Sequence, residues 1–159
     1  MNVVVGVSDM KISNNPEEIL VTYSLGSCIG VVIYDPVVKV GGMLHFMLPD
    51  SSIDMKKAEK YPYMFCDKGV PALFKATYKE GALKQNMLVY VFGGAQILDQ
   101  KNFFNIGKRN YTALRKIFFK NNVVITYENV GGNVNRTVRL EINTGNIYVK
   151  TSGHGEIKI

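Results

Sequence analysis

The sequence is poor in the residues that build metal centres and disulfide frameworks. Its 159 residues hold two cysteines and two histidines. There is no Cys-x-x-Cys pair and no cluster of cysteine with histidine, so no metal site is expected. Two reduced thiols are the expectation for a chain of intracellular character. Long apolar runs are also missing. None approaches the roughly 20 residues that a bilayer-spanning helix needs, and the N-terminus has no basic stretch leading into an apolar one. A soluble, cytoplasmic protein without direct membrane insertion is expected. The net charge of +6 favours acidic partners. The basic residues gather at Lys56, Lys57 and Lys60 and again at Lys108, Arg109, Arg115 and Lys116. No helix-turn-helix pattern, aromatic RNA-binding motif or zinc finger accompanies them. They read as solvated faces, or as a surface for an acidic protein, rather than as a nucleic-acid site.

What is present is an ordinary globular composition, 47% apolar, at a length that suits one domain over residues 1–159. Residues 3–7 are β-rich, and residues 10–12 continue that strand or pair back on it. Asn14-Asn15-Pro16 is a turn, and residues 19–22 form a third strand. Residues 49–62 are polar, show no clear period and read as a loop. Residues 64–78 have helical spacing, with Val70, Leu73, Phe74 and Thr77 on one stripe. Pro71 predicts a kink there or a late start near Gly69, and Gly81 a stop. Residues 87–92 are a strand ended by Gly93-Gly94. Asn105 is placed to cap a helix from Ile106 to about Asn121, with Tyr111, Leu114, Ile117 and Phe118 inward. Residues 123–127 are a strand, and residues 137–142 and 147–150 flank a hairpin turn at Asn143-Thr144-Gly145-Asn146. Strict βαβ alternation is absent. The expected fold class is therefore α/β, with two helices packed on mixed or antiparallel β-structure.

The stretch from Thr22 to Ser51 organises the rest. Two apolar runs, residues 29–34 and 40–48, flank the turn signal Asp35-Pro36. Cys28 opens the first run and His45 sits near the end of the second. The midpoint between them falls between Pro36 and Val37, so an antiparallel hairpin folded there sets Cys28 directly across from His45. Opposed residues share a face with Cβ atoms roughly 4.5–5.5 Å apart. A slip of one residue would separate the faces.

Cys28 follows Gly26-Ser27, a bend that can present a nucleophile and turn backbone amides toward a developing oxyanion. His45 is the matching base, and an imidazolium beside the thiol would lower its pKa. Such a pair wants a third group to orient the imidazole. Thr22, just before the loop, and Asp50, beyond His45, both qualify on spacing. Cys66 falls in phase with the core stripe of its helix, and His154, between two glycines in a polar tail, reads as an exposed residue. Phe92-Gly93-Gly94-Ala95 lacks both the GxGxxG pattern and the GK[ST] ending of phosphate loops, so it reads as a tight turn. Phe103-Phe104 is a candidate anchor for a partner.

These residues resemble a known family. Leu25-Gly26-Ser27-Cys28, the Asp35-Pro36 turn and His45-Phe46-Met47-Leu48-Pro49-Asp50-Ser51 are similar to the signature of CheD, the chemoreceptor glutamine deamidases of chemotaxis. So are Gly93-Gly94-Ala95, the run Asn105 to Asn110, Gly131-Gly132-Asn133 with Arg136, and Thr144-Gly145. The resemblance implies a cysteine nucleophile, a histidine base and a threonine third member. Matched by position these are Cys28, His45 and Thr22, which selects Thr22 over Asp50 and leaves Cys66 and His154 without catalytic roles. It further implies a helix layer on stacked β-sheets, an α/β/β sandwich similar to the catalytic domain of the cytotoxic necrotizing factor toxins. The implied reaction is hydrolysis of receptor glutamine side chains to glutamate, without cofactor or metal. Methyl-accepting chemotaxis receptors would be the substrates and the phosphatase CheC a partner. Two alternatives stand beside this: a regulatory binding module for CheC, and a glutamyl methylesterase built on the same Cys-His pair.

Overall fold

The computed structural model of the chain describes residues 1–96 and 105–159. In chain order its strands are β1 (Asn2–Val4), β2 (Asp9–Ser13), β3 (Ile19–Leu25), β4 (Ile29–Asp35), β5 (Val40–Phe46), β6 (Leu88–Gly93), β7 (Tyr127–Val130), β8 (Arg136–Glu141), β9 (Ile147–Thr151) and β10 (Glu156–Lys158). The α-helices are α1 (Met55–Lys60), α2 (Cys66–Lys79) and α3 (Ile106–Lys120). The strands form two five-stranded sheets, ordered β1-β3-β8-β9-β10 and β2-β5-β4-β6-β7. Each is mixed, with one parallel pair at an edge, β1 with β3 and β6 with β7. Among the described residues no helix is long and apolar enough to cross a membrane.

Two apolar cores separate three layers. One lies between the sheets and includes Leu20, Leu25, Val32, Met43, Phe92 and Val138. The other joins the second sheet to α2 and α3 through Ile29, Val31, Leu44, Leu73, Leu114 and Phe118. This is an α/β/β stack. The central hairpin β4–β5 is covered on both faces, with every residue of both strands buried. That is why its sequence reads as continuous apolar runs instead of an alternation. Odd-numbered residues of β4 face the helices and even-numbered ones face the first sheet. On β5 the parity is reversed, with Met43 toward the first sheet and Leu44 toward the helices.

Several expectations are corrected. Residues 49–62 are not a plain loop: they hold a 3-10 turn at Ser51–Ile53 and the helix α1. Only Ala58 of α1 is buried, so no apolar period marks it. Its start is set by Asp54, whose side chain accepts from the Lys57 amide at 3.0 Å. α2 does not wait for Gly69. Its first turn closes upstream of Pro71, with the Gly69 amide on the Phe65 carbonyl at 2.7 Å. Pro71 then removes one ladder bond while Val70, Leu73, Phe74 and Thr77 stay buried on the sheet, and packing outweighs the local penalty. The strand expected at residues 123–127 begins at Tyr127. Val123 and Ile125 instead pack into the helix-side core, and Thr126 ties this stretch to Val89 through both its amide and its hydroxyl. The polar tail also supplies β10, which pairs with β9. Gly81 follows α2 at φ +103°, as expected of a stop.

The hairpin exists, but its register differs by two residues from the expected one. Asp35 pairs with Val40, and the loop between them holds four residues, 36–39. The Asp35 carboxylate accepts from the amides of Val37 at 2.8 Å and Val38 at 3.4 Å, and Lys39 takes a left-handed φ of 56°. His45 is therefore opposite Gly30, and the ladder ends at Ile29–Phe46. Because the shift is even, Cys28 and His45 keep a common face.

Candidate active site

At the open end of the β4–β5 pair, side chains from both sheets converge. β3 of the first sheet carries Thr22 inward, and all of Leu20, Val21 and Thr22 are buried. A register shift on β8 follows between Thr22 and Leu25, with Ser24 at φ 55°, and bends the chain toward Gly26-Ser27-Cys28. Cys28 lies just before β4 and packs against the inter-sheet core. It lies two residues before Gly30, the residue opposite His45, and so falls on the face that His45 occupies. Gly30 lies between them on this face, and a Cβ there would sit 2.8 Å from Leu25 Cδ1, so the buried Leu25 side chain would have to shift.

The hydrogen bonds around His45 define its state. Thr22 Oγ1 is 2.7 Å from the Val5 carbonyl oxygen and 2.8 Å from His45 Nδ1. A carbonyl can only accept, so the single hydroxyl proton of Thr22 goes to Val5. Thr22 must then accept from His45, which places the imidazole proton on Nδ1 and leaves Nε2 with its lone pair. Nε2 is buried and has no hydrogen-bond partner among the described residues, the Cys28 thiol included. Burial pushes the imidazole down to about 4. It pushes the Cys28 thiol up to about 11, against a smaller opposing pull from its own backbone amide. The thiolate–imidazolium pair expected from the sequence is therefore replaced, at rest, by a neutral thiol and a neutral base. The desolvated site disfavours both charges.

The cysteine loop is held by its carbonyls. Gly26 O accepts from the Ala95 amide at 2.8 Å, and Cys28 O from the Gly94 amide at 2.9 Å. Ser27 O accepts from Asn110 Nδ2 at 3.0 Å. With three successive carbonyls engaged, the amides of Gly26, Ser27 and Cys28 find no backbone or side-chain oxygen acceptor among the described residues. Gly93-Gly94 makes this approach possible. Gly93 has φ +107°, and a Cβ there would come within 2.1 Å of the Cys28 oxygen. The carbonyls of Gly93 and Gly131 are in turn bound by the buried guanidinium of Arg136, which also donates to Asn129.

Of the residues singled out in the sequence, Thr22 and His45 are joined by a hydrogen bond, and Cys28 lies on the same face beyond the end of the β4–β5 ladder. Asp50 is elsewhere, exposed and accepting from the Ser52 amide at the start of a 3-10 turn. Cys66 is wholly buried, and both cysteines are free thiols. His154 is exposed. Phe103 and Phe104 lie outside the described residues. Asn105 precedes α3 without a side-chain cap, its Oδ1 accepting from Gln96 Nε2 instead. The supporting roles of Asn110, Gly93 and Arg136 were not read from the sequence. Their only signal is membership of the segments that resemble the family.

Similarity to known proteins identifies the family. A family model described as CheD chemotactic sensory transduction matches residues 47–151. A protein of Syntrophus aciditrophicus named "Probable chemoreceptor glutamine deamidase CheD 1" is 60% identical over 152 residues, covering 96% of this chain and 95% of that protein. The "Probable chemoreceptor glutamine deamidase CheD" of Solibacter usitatus is 47% identical, over 95% of this chain and 89% of its own length. The "Probable chemoreceptor glutamine deamidase CheD 2" of Anaeromyxobacter dehalogenans is 40% identical, over 94% of each. At these identities, over nearly the full length of both partners, the chain belongs to the CheD family.

Proposed function

We propose that this protein hydrolyses glutamine side chains of chemoreceptors to glutamate, with Cys28 as nucleophile, His45 as general acid–base and Thr22 as the group that orients the imidazole. The names of its relatives support the reaction and the substrate. The observation that supports the residue roles is the Val5–Thr22–His45 chain of hydrogen bonds, which leaves a bare, buried Nε2 on the face that Cys28 shares.

The reaction runs as two acyl transfers. The Cys28 thiol gives its proton to His45 Nε2 as its sulfur bonds the carboxamide carbon. Negative charge gathers on the carboxamide oxygen, where amides of the Gly26-Ser27-Cys28 bend would stabilise it. His45 returns the proton to the nitrogen, the C–N bond breaks and ammonia leaves a thioester. Water then gives a proton to Nε2 and attacks the thioester, releasing glutamate and the thiol. Because both groups start neutral, the proton moves with the attack and not before it.

Residues 1–159 would act as one domain, in the cytoplasm where the receptor signalling helices lie, with CheC as a binding partner. The test is peptide mass analysis of a chemoreceptor cytoplasmic fragment incubated with the protein or with Cys28→Ala. Glutamine hydrolysis adds about one mass unit, the exchange of NH₂ for OH. Gains at defined glutamines that disappear with Cys28→Ala are expected. An unchanged receptor, with CheC still bound, would replace this reading by a regulatory binding module.

A further inference from the structure

The ladder of the central hairpin stops one step short of the site. Beyond Ile29–Phe46 the next pair in register would be Cys28 with Met47, but the two chains part there. Met47 and Leu48 turn their amides to the Met64 carbonyl, at 2.8 and 3.0 Å. Cys28 turns its carbonyl to Gly94. One side chain bridges the divergence. Asn110, on the second turn of α3 and wholly buried, donates from Nδ2 to Ser27 O at 3.0 Å and to Met47 O at 2.8 Å. Both partners are carbonyls, so the amide orientation is fixed by chemistry and both Nδ2 protons are used. Its Oδ1 is buried without a partner among the described residues. An unpaired buried acceptor costs about 1–3 kcal/mol, so this asparagine is a poor choice for packing alone.

We infer that Asn110 is a positioning residue: its amide ties the cysteine loop to the end of the histidine strand and so sets the spacing over which Cys28 and His45 exchange a proton. Ser27 is one residue before Cys28, and Met47 is two after His45. Both groups therefore hang from the same bracket. Without it, the hydrogen bonds on the loop's own carbonyls run to Gly94 and Ala95, just past β6, and the tie to the histidine strand is left to the last ladder pair, Ile29–Phe46. A misplacement near 1 Å in such a pair can cost about 10²-fold in rate. The inference rests on reading Cys28 and His45 as a working pair.

The test uses a reaction that needs no receptor: alkylation of Cys28 by iodoacetamide near pH 7, followed by peptide mass analysis. Four proteins are compared, the native chain, His45→Ala, Asn110→Ala and the double variant. His45→Ala is expected to slow alkylation at least tenfold by removing the base. Asn110→Ala is expected to slow it to a similar degree, and the double variant to be no slower than either, because each removes the same assistance. Receptor deamidation by Asn110→Ala should lose kcat with little change in KM. Multiplicative losses in the double variant, or a folded Asn110→Ala that alkylates at the native rate or faster, would overturn the inference. Should Asn110→Ala not fold, Asn110→Asp takes its place. It fills the same volume but sets carboxyl oxygen against the two carbonyls, and native alkylation by that variant would also overturn the inference. A native rate indifferent to His45 would sink the pair itself and the inference with it. A His45-dependent rate that Asn110 leaves unchanged would sink the inference alone.

Discussion

A threonine hydroxyl has one proton, and at Thr22 it is committed to the Val5 carbonyl. The consequence passes through His45 to its far nitrogen: Nδ1 carries the hydrogen, and Nε2 is an acceptor in a buried site. Valine at position 22 would keep the shape and remove both bonds, and the imidazole would lose its preferred tautomer. Serine would keep the hydroxyl. We expect Thr22→Val to lower kcat for deamidation by about 10- to 100-fold, in the range of a lost acid–base positioning contact, and Thr22→Ser to recover most of it. The pH dependence measured on the same proteins separates a neutral pair from an ionic one. With His45 near 4 and Cys28 near 11, the reactive form of the proposed pair is neutral thiol with neutral imidazole. It fails in acid as His45 takes a proton, near pH 4, and persists on the alkaline side until the thiol ionises. The native protein should therefore hold its rate through pH 9. A fall between about pH 8 and 9 would instead report loss of an imidazolium proton and an ion pair at rest.

At the scale of elements, the hairpin was the most legible part of the chain and also the place where its limits show. The flanking apolar runs, the Asp35-Pro36 turn and the shared face of Cys28 and His45 were all readable, because they follow from composition and from the two-residue period of a strand. The register was not. It depends on Asp35 engaging two amides, which its residue type allows, and on Lys39 adopting φ 56°, which a lysine does not signal; together they lengthen the loop to four residues. The even shift kept Cys28 and His45 on one face, whereas an odd one would have separated them. The glycines at the end of β6 were likewise legible as a turn but not as a bed for the cysteine loop. Gly93 and Gly81 make a matched pair for testing that role. Both have φ just above 100°, yet a Cβ at Gly93 would strike the Cys28 carbonyl while one at Gly81 would meet nothing within 4 Å. Gly81→Ala should cost only the left-handed penalty, about 1–2 kcal/mol, with turnover unchanged. Gly93→Ala should cost more in chemical denaturation and also lose at least tenfold in kcat, because relief comes only by moving the loop. Equal effects of the two substitutions would mean the loop is not seated on Gly93.

For the molecule as a whole, layer order was legible from strands and helices that bury apolar faces, and the elements that escaped were those without such a face. α1 buries one alanine, and β10 is exposed along its length. The proposed site lies where the two sheets meet, with Thr22 from one, His45 from the other and Cys28 from the loop before β4, so its chemistry and the stability of the stack are linked. His45 is the sharpest case. Unfolded, its imidazole titrates near 6.5; folded, burial holds it near 4. Between those values the unfolded chain binds a proton that the folded one does not, so acid favours unfolding. The contribution is fully present above pH 6.5 and is lost as the pH falls toward 4. A shift of this size corresponds to about 3 kcal/mol at one unit per 1.36 kcal/mol, an upper figure for a group that water can reach once the stack loosens. Carboxylates add their own acid dependence, so the comparison must be internal. Denaturant unfolding of the native chain and of His45→Gln at pH 7 and pH 4 isolates the imidazole. The native chain is expected to lose about 2–3 kcal/mol more than the variant over that range. Parallel losses would show that His45 protonates in the folded stack at little cost, and that the space around Nε2 admits the charge that the reaction places there.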